Sequence, residues 1–344
     1  MIRYVCRRLL ETIPTTIGIL LLTFVLFNVV GGSPAQVVLG KNATAEAVAA
    51  FNHKWGYDKP LIFGKFQVSG SRFQVSGFRF QVPGSKPQGS GLGDLFDSQF
   101  FNFVGGICRG DFGYSIENQE PVVDVLRRGV WPSLSLTVPI LVGGVAIGLM
   151  LALCAAAMRG GWVDKTILVG SAVLMSVNYV VWVLAGQFFL SFKAGLFPVW
   201  GYQSAFYLVL PVLIGILSSL GTDVRFFRTA ILDEVYKPYV LTARAKGLSP
   251  TAIMTRHVLR NALIPIVTYV SLSIPYLFTG SLLLESFFGI PGLGSVSINA
   301  IHSADMAVVR AIVVLGALLY QFVNLATDLL YAVIDPRVRL GGGE

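Results

Sequence analysis

Charge is what this chain has least of. Only 13% of its 344 residues are Asp, Glu, Lys or Arg, against about 25% in ordinary soluble domains. The mean hydropathy is +0.70. This shortage argues against a water-soluble globular protein and makes a polytopic membrane protein the default class. Cysteine is scarce as well. Cys6, Cys108 and Cys154 are odd in number and far apart, so they build neither a disulfide framework nor a metal-ligand spacing. His53, His257 and His302 are equally isolated. No GxxxxGKS/T loop occurs, because Lys41 and Lys65 follow glycines without the rest of the pattern. The glycines of "GIPGLGS" at 289–295 open no βαβ unit. There is no HExxH, no paired carboxylate and no Ser/His/Asp grouping to suggest an enzyme.

What is present is apolar sequence in long runs. Six stretches reach the roughly 20 residues needed to cross a bilayer, one of them a little short. They are Ile13–Val30, Pro132–Met158, Thr166–Phe192, Ala205–Gly221, Ala262–Leu284 and Val308–Ile334. The first follows Arg3, Arg7 and Arg8 as a signal peptide would. It continues without a small-residue cleavage site and reads as a retained span. The predicted fold is therefore an all-α polytopic membrane protein of six transmembrane helices. With the N-terminus in the cytoplasm, fourteen Lys and Arg fall in the inside segments and only Lys193 and Arg310 in the short outside loops. That asymmetry follows the positive-inside rule and leaves both termini cytoplasmic. Residues 1–30 are then the N-terminus and first span, 31–131 an extracytoplasmic segment, and 132–344 a core of five spans.

Inside the long outer segment, "FQVSGSRFQVSGFRFQVPGSK" repeats a seven-residue unit beginning at Phe66, Phe73 and Phe80. Its Gly and Val content and lack of an apolar stripe exclude a coiled-coil heptad. Before it, Thr44 caps a predicted short helix that ends at Gly56, with Glu46 in its first turn.

The one large inside loop, 222–261, carries seven Lys and Arg. Two helical pieces meet at Gly247, which can stop a helix in the left-handed conformation. Ser249 is a cap and Pro250 a first helical residue for the second piece. A basic loop flanking a membrane can bind anionic lipid. The turn, with Leu248 at its tip, instead suits a knob docking into a protein groove. A recognition helix tethered between two spans has little freedom to reach a duplex, so nucleic acid is not an expected partner.

Within the spans, Pro139, Pro211, Pro265 and Pro275 would interrupt helical hydrogen bonding, as happens where helices line a cavity. Asn178, Tyr179, Gln187, Thr268, Tyr269, Ser271, Ser273 and Tyr276 are the polar candidates for a path. The bland reading of each is interhelical glue. The lack of mid-span charge argues against a carrier with a carboxylate proton site.

"YVLTARAKGLS…RHVLRNALIP" resembles the coupling loop, or EAA loop, of binding-protein-dependent ABC transporter permeases. Leu241, Thr242 and Ala243 stand at the Glu-Ala-Ala positions, and the missing Glu is usual in the dipeptide/oligopeptide/nickel branch. "FFGIPGLGSVSINAI", "DLLYAVIDPRVRL", "RRLLETIPTTIGI" and "GDFGYSI" resemble the same branch in order, as in its B-type permease subunit. The resemblance implies that Thr242, Ala243, Arg244, Lys246, Gly247, Leu248 and Ser249 form the ATPase-coupling loop. It implies a bacterial inner-membrane subunit that pairs with a second homologous permease, two ABC ATPase subunits and an extracytoplasmic solute-binding protein. The chain would hold no cofactor, ATP and magnesium being used by the ATPase subunits. The cargo would be a dipeptide, an oligopeptide, a glutathione-like conjugate or nickel. The chain departs from that pattern at about 62–97, where the family has only a few residues, so the repeat reads as a tolerated insertion. The alternative is a stand-alone secondary carrier or channel whose basic loop holds anionic lipid.

Overall fold

Apolar runs leave backbone N–H and C=O groups no partner but each other, and in lipid that favours helices. The computed structural model describes residues 2–30, 43–55, 59–61, 98–274, 277 and 281–334. The Phe-Gln-Val repeat, the rest of 62–97, Pro275 and Tyr276 lie outside them. Among the described residues there is no strand, only an isolated antiparallel bridge between Tyr114 and Pro121.

In chain order the helices are α1 (Ile2–Val25), α2 (Ala45–Trp55), α3 (Gln99–Arg109), α4 (Val122–Ala157), α5 (Trp162–Ser176) and α6 (Tyr179–Gly186). They continue as α7 (Phe206–Val235), α8 (Pro238–Ala245), α9 (Pro250–Ala252), α10 (Leu259–Ser271), α11 (Leu282–Phe288), α12 (Leu293–His302) and α13 (Met306–Ile334). Three π-helical turns, Leu26–Val30, Gln187–Lys193 and Ile253–Val258, extend α1, extend α6 and join α9 to α10. The expected cap of α2 is present, with Thr44 Oγ1 accepting from the Ala47 N–H at 3.3 Å.

The frame is the pair α4 and α7, which pack most extensively. Glycines let them approach: a Cβ on Gly144 would sit 2.7 Å from the Ser219 hydroxyl, and one on Gly215 2.5 Å from Ile140 Cδ1. Such small-residue contacts bring helix backbones together where lipid offers no hydrophobic drive. Near the α4 C-terminus, Ala152 and Ala156 pack with Phe227, Ile231, Val240 and Val258. At the other end, Val122 and Leu126 pack with Leu293, Val308 and Ala311. Phe24 meets Phe100 there, and Asn28 donates to Gln99 at 3.1 Å. The start of α1 and the end of α13 therefore lie at the end of the bundle that holds α8.

Four helices, α1, α4, α7 and α13, are each long and apolar enough to cross a membrane, and six spans are reached if two bent pairs each count as one. The expected third span, Thr166–Phe192, is not straight. Extended backbone at Val177 and Asn178 turns it by 90° between α5 and α6. The expected fourth span does not stop at Gly221. With no Gly or Pro before Pro238, α7 runs through the charged residues to Val235, because charge ends an apolar run without breaking a helix. Within the expected fifth span α10 ends at Ser271, a turn follows at Leu272 and Ser273, and Leu282–Leu284 begin α11. α11 meets α12 at 85°.

Candidate translocation cavity and basic-loop turn

Pro238 opens α8 and the helix stops at Lys246, after which Gly247 adopts φ +77°. The Leu248 N–H returns to the Ala243 carbonyl at 3.3 Å and the Gly247 N–H to Arg244 at 2.9 Å, the bond pattern of a glycine-terminated helix. A Cβ on Gly247 would meet nothing within 4 Å. The demand for glycine is thus purely conformational. Ser249 Oγ accepts from the Ala252 N–H at 3.3 Å, with Pro250 at the first helical position. Thr242, Arg244, Lys246, Gly247, Leu248 and Ser249 are exposed, with Leu248 at 40%. Ala243 alone of the seven faces inward, where it joins Val240, Ile253 and Val258 in the core with α4 and α7.

Two carboxylates fasten this region. Buried Glu234 at the end of α7 accepts from Lys237 Nζ at 2.5 Å and from the Tyr239 hydroxyl at 2.8 Å. Burial pushes the Tyr239 phenol up, so it remains a donor at neutral pH. Asp164, near the start of α5, is gripped by Arg228 on α7 and also accepts from the Gly160 N–H at 2.9 Å. At the opposite end, fully buried Glu285 accepts from Ser133 Oγ at 2.7 Å and from the Ser281 and Ser295 N–H groups at 3.1 Å. Ser133 in turn accepts from the Leu293 N–H at 2.7 Å. This knot sets the angle between α11 and α12 against α4.

A cavity of about 460 Å³ lies between α4, α7 and α10. Of the sequence-expected path residues, Tyr179, Tyr269 and Ser273 line it. Gln187 does not; its side-chain amide donates to the Val199 and Phe287 carbonyls, both at 2.9 Å, and holds a loop. Thr268 bonds back to Ile264 at 2.9 Å, and Ser271 is buried. Asn178 caps α6 by accepting from the Val180 N–H at 2.9 Å. Sequence reading missed Ser218, Ser219, Thr222 and Asp223, which line the cavity from α7. Their spacing of i, i+1, i+4 and i+5 marks one helical face, a signal hidden by placing a loop boundary at Thr222. Asp223 is only 8% exposed, and Tyr269 donates to its Oδ1 at 2.9 Å.

Residues 144–340 match the family described as binding-protein-dependent transport system inner membrane component. The chain belongs to this family. Residues 1–71 match the N-terminal part of the same kind of membrane component. As a binding-protein-dependent transport component, the protein is a permease subunit of an ABC importer and a multi-pass inner-membrane protein. It is 29% identical over 342 residues to the glutathione transport system permease protein GsiC of Shigella flexneri serotype 5b, covering 98% of this chain and 99% of that one. To GsiC of Salmonella choleraesuis it is 30% identical, with the same coverage. The inward-facing MetNI methionine ABC transporter has a chain of similar fold. The TM-score is 0.51 at 20% identity, over 61% of this chain and 96% of that one.

Proposed function

We propose that this permease forms half of the path for a small peptide or peptide-like solute, a group that includes glutathione. An extracytoplasmic binding protein delivers the solute, and a second homologous permease supplies the other half of the path. Two ATPase subunits, which bind and use the ATP and magnesium, dock on the turn at Gly247. Both chain termini and that turn face the cytoplasm, as the distribution of Lys and Arg supports. The relatives that transport glutathione support the cargo class.

One observation carries the reading. The exposed turn Thr242–Ser249 is not a loose loop, because Val240, Ala243, Ile253 and Val258 bolt it to α4 and α7. A push on Leu248 therefore moves packed helices as a rigid body. Reconstitution of the permease pair with its ATPases and binding protein in proteoliposomes tests this. ATP-dependent uptake of glutathione or a dipeptide is the expected result. Solute uptake by this chain alone, driven by an ion gradient, would favour a stand-alone carrier.

A further inference from the structure

The cavity between α4, α7 and α10 is lined by hydroxyls and one carboxylate, and two of those hydroxyls already spend their protons on backbone carbonyls. Ser218 donates its hydroxyl proton to the Gly215 carbonyl at 3.0 Å, and Ser219 lies within reach of both the Ile216 carbonyl, at 3.1 Å, and Asp223. Thr137 donates to Ser133 at 2.7 Å. Ser218 and Thr137 thereby keep only lone pairs for anything that enters. Asp223 adds a carboxylate that accepts from the Tyr269 hydroxyl at 2.9 Å and is also hydrogen-bonded by Ser219. Among the described residues no Lys, Arg or His lines the cavity, and Asp223 forms no ion pair. Asp223 thus faces the cavity without an internal counter-charge, which an entering cation would supply.

The donor set narrows which cation. Among the described residues no second carboxylate, Cys or His lines the cavity, so a metal ion would find a single charged ligand there, well short of a divalent site. A primary ammonium has three donors on one charged centre and needs a carboxylate plus neutral acceptors. Those are the groups present. The phenol rings of Tyr179 and Tyr269 add aromatic surface of the kind that attracts ammonium.

We infer that this cavity is a transit subsite for the primary ammonium group of the solute. Asp223 is its counter-charge, and Tyr269 is a positioning residue that aims the carboxylate. The inference rests on the importer reading and narrows its cargo to solutes with a free amino group.

The test uses the complete transporter in nanodiscs, with Leu141→Cys at the cavity wall as a reporter. Its rate of alkylation by a small maleimide is followed with S-methylglutathione or its N-acetyl derivative present, neither of which has a thiol. S-methylglutathione should slow alkylation several-fold and the N-acetylated form should not. Asp223→Asn, nearly isosteric, should abolish that difference, and Tyr269→Phe should weaken it. If Asp223→Asn fails to assemble, Asp223→Glu replaces it and should keep a reduced preference for the free amine. Equal protection by both probes, protection by neither, or full discrimination in Asp223→Asn would overturn the assignment. Protection by nickel ions alone to the same extent would do so too. Co-purification of the ATPases from the same preparation tests the importer reading separately.

Discussion

Arg228 on α7 holds Asp164 on α5 through two parallel bonds of 2.8 Å, Nε to Oδ1 and Nη2 to Oδ2. The side chains are 17% and 5% exposed, so the pair is screened little by water. Removing one partner of such a pair costs roughly 3–5 kcal/mol, because the other charge stays buried. Arg228→Ala should therefore lower the thermal midpoint of the detergent-purified permease sharply. Arg228→Lys should fall between, since it keeps the charge and loses the fork. Unchanged midpoints in both variants would show that the pair does not lock α5 to α7.

Gly247→Val should distort the turn while leaving insertion intact. The left-handed conformation costs most residues about 1 kcal/mol or more, and a β-branched one more still. Arg244→Ala, at an exposed position, should behave nearly as wild type. Co-purification of the ATPases and solute-stimulated ATP hydrolysis are the readouts. Full association and stimulation in Gly247→Val would remove this turn from the coupling role, and lipid binding would become the better account of its charge.

Glu234 joins the same element to α7. Hydrogen bonds to a charged group contribute about 1.5–3 kcal/mol, so Glu234→Ala should loosen α8 from α7. Faster proteolysis within 236–249 is the expected sign, with stimulated ATP hydrolysis reduced and protein levels maintained. Tyr239→Phe, which loses one of the two bonds, should show a smaller effect in the same direction.

Orientation is tested with reporters. Fusions after Ser90 or Ser303 should be extracytoplasmic, and fusions after Arg159 or Pro250 cytoplasmic. A cysteine at Ser90 that labels only from the cytoplasm would reverse the assigned topology.

Deleting Lys65–Gly93 should leave assembly and uptake nearly unchanged, since closing a shorter loop changes the entropic cost only slightly. Complementation of a transport-deficient strain measures this. Loss of uptake at normal protein levels would give the repeat a function.

What was legible in the sequence was local. Gly247, Ser249 and Pro250 announce a helix stop and start within four residues, and Thr44 announces α2; each depends only on near neighbours. The bend at Val177 and Asn178 was not legible, because no Gly or Pro marks it and the apolar run continues past it. Asp223 was hidden for another reason. Charge served as the end of a span, yet its burial depends on Tyr269, 46 positions away. Glu285 likewise looks like a loop residue until Ser133, 152 positions earlier, is brought against it.

The unbroken course of α7 has a mechanical consequence. Asp223 and Glu234 ride one helix, eleven residues apart, or about 16 Å along its axis. In the proposed mechanism that segment would act as a lever arm, with the loop turn at one end and the cavity wall at the other. A tilt of about 10° about the Glu234 end would sweep Asp223 sideways by about 3 Å, roughly the length of a hydrogen bond. A movement of that size would draw the carboxylate out of reach of Tyr269 and of anything held beside it. Cargo release and the stroke of the loop would then be geared through a single rod, with no relay of side chains between them.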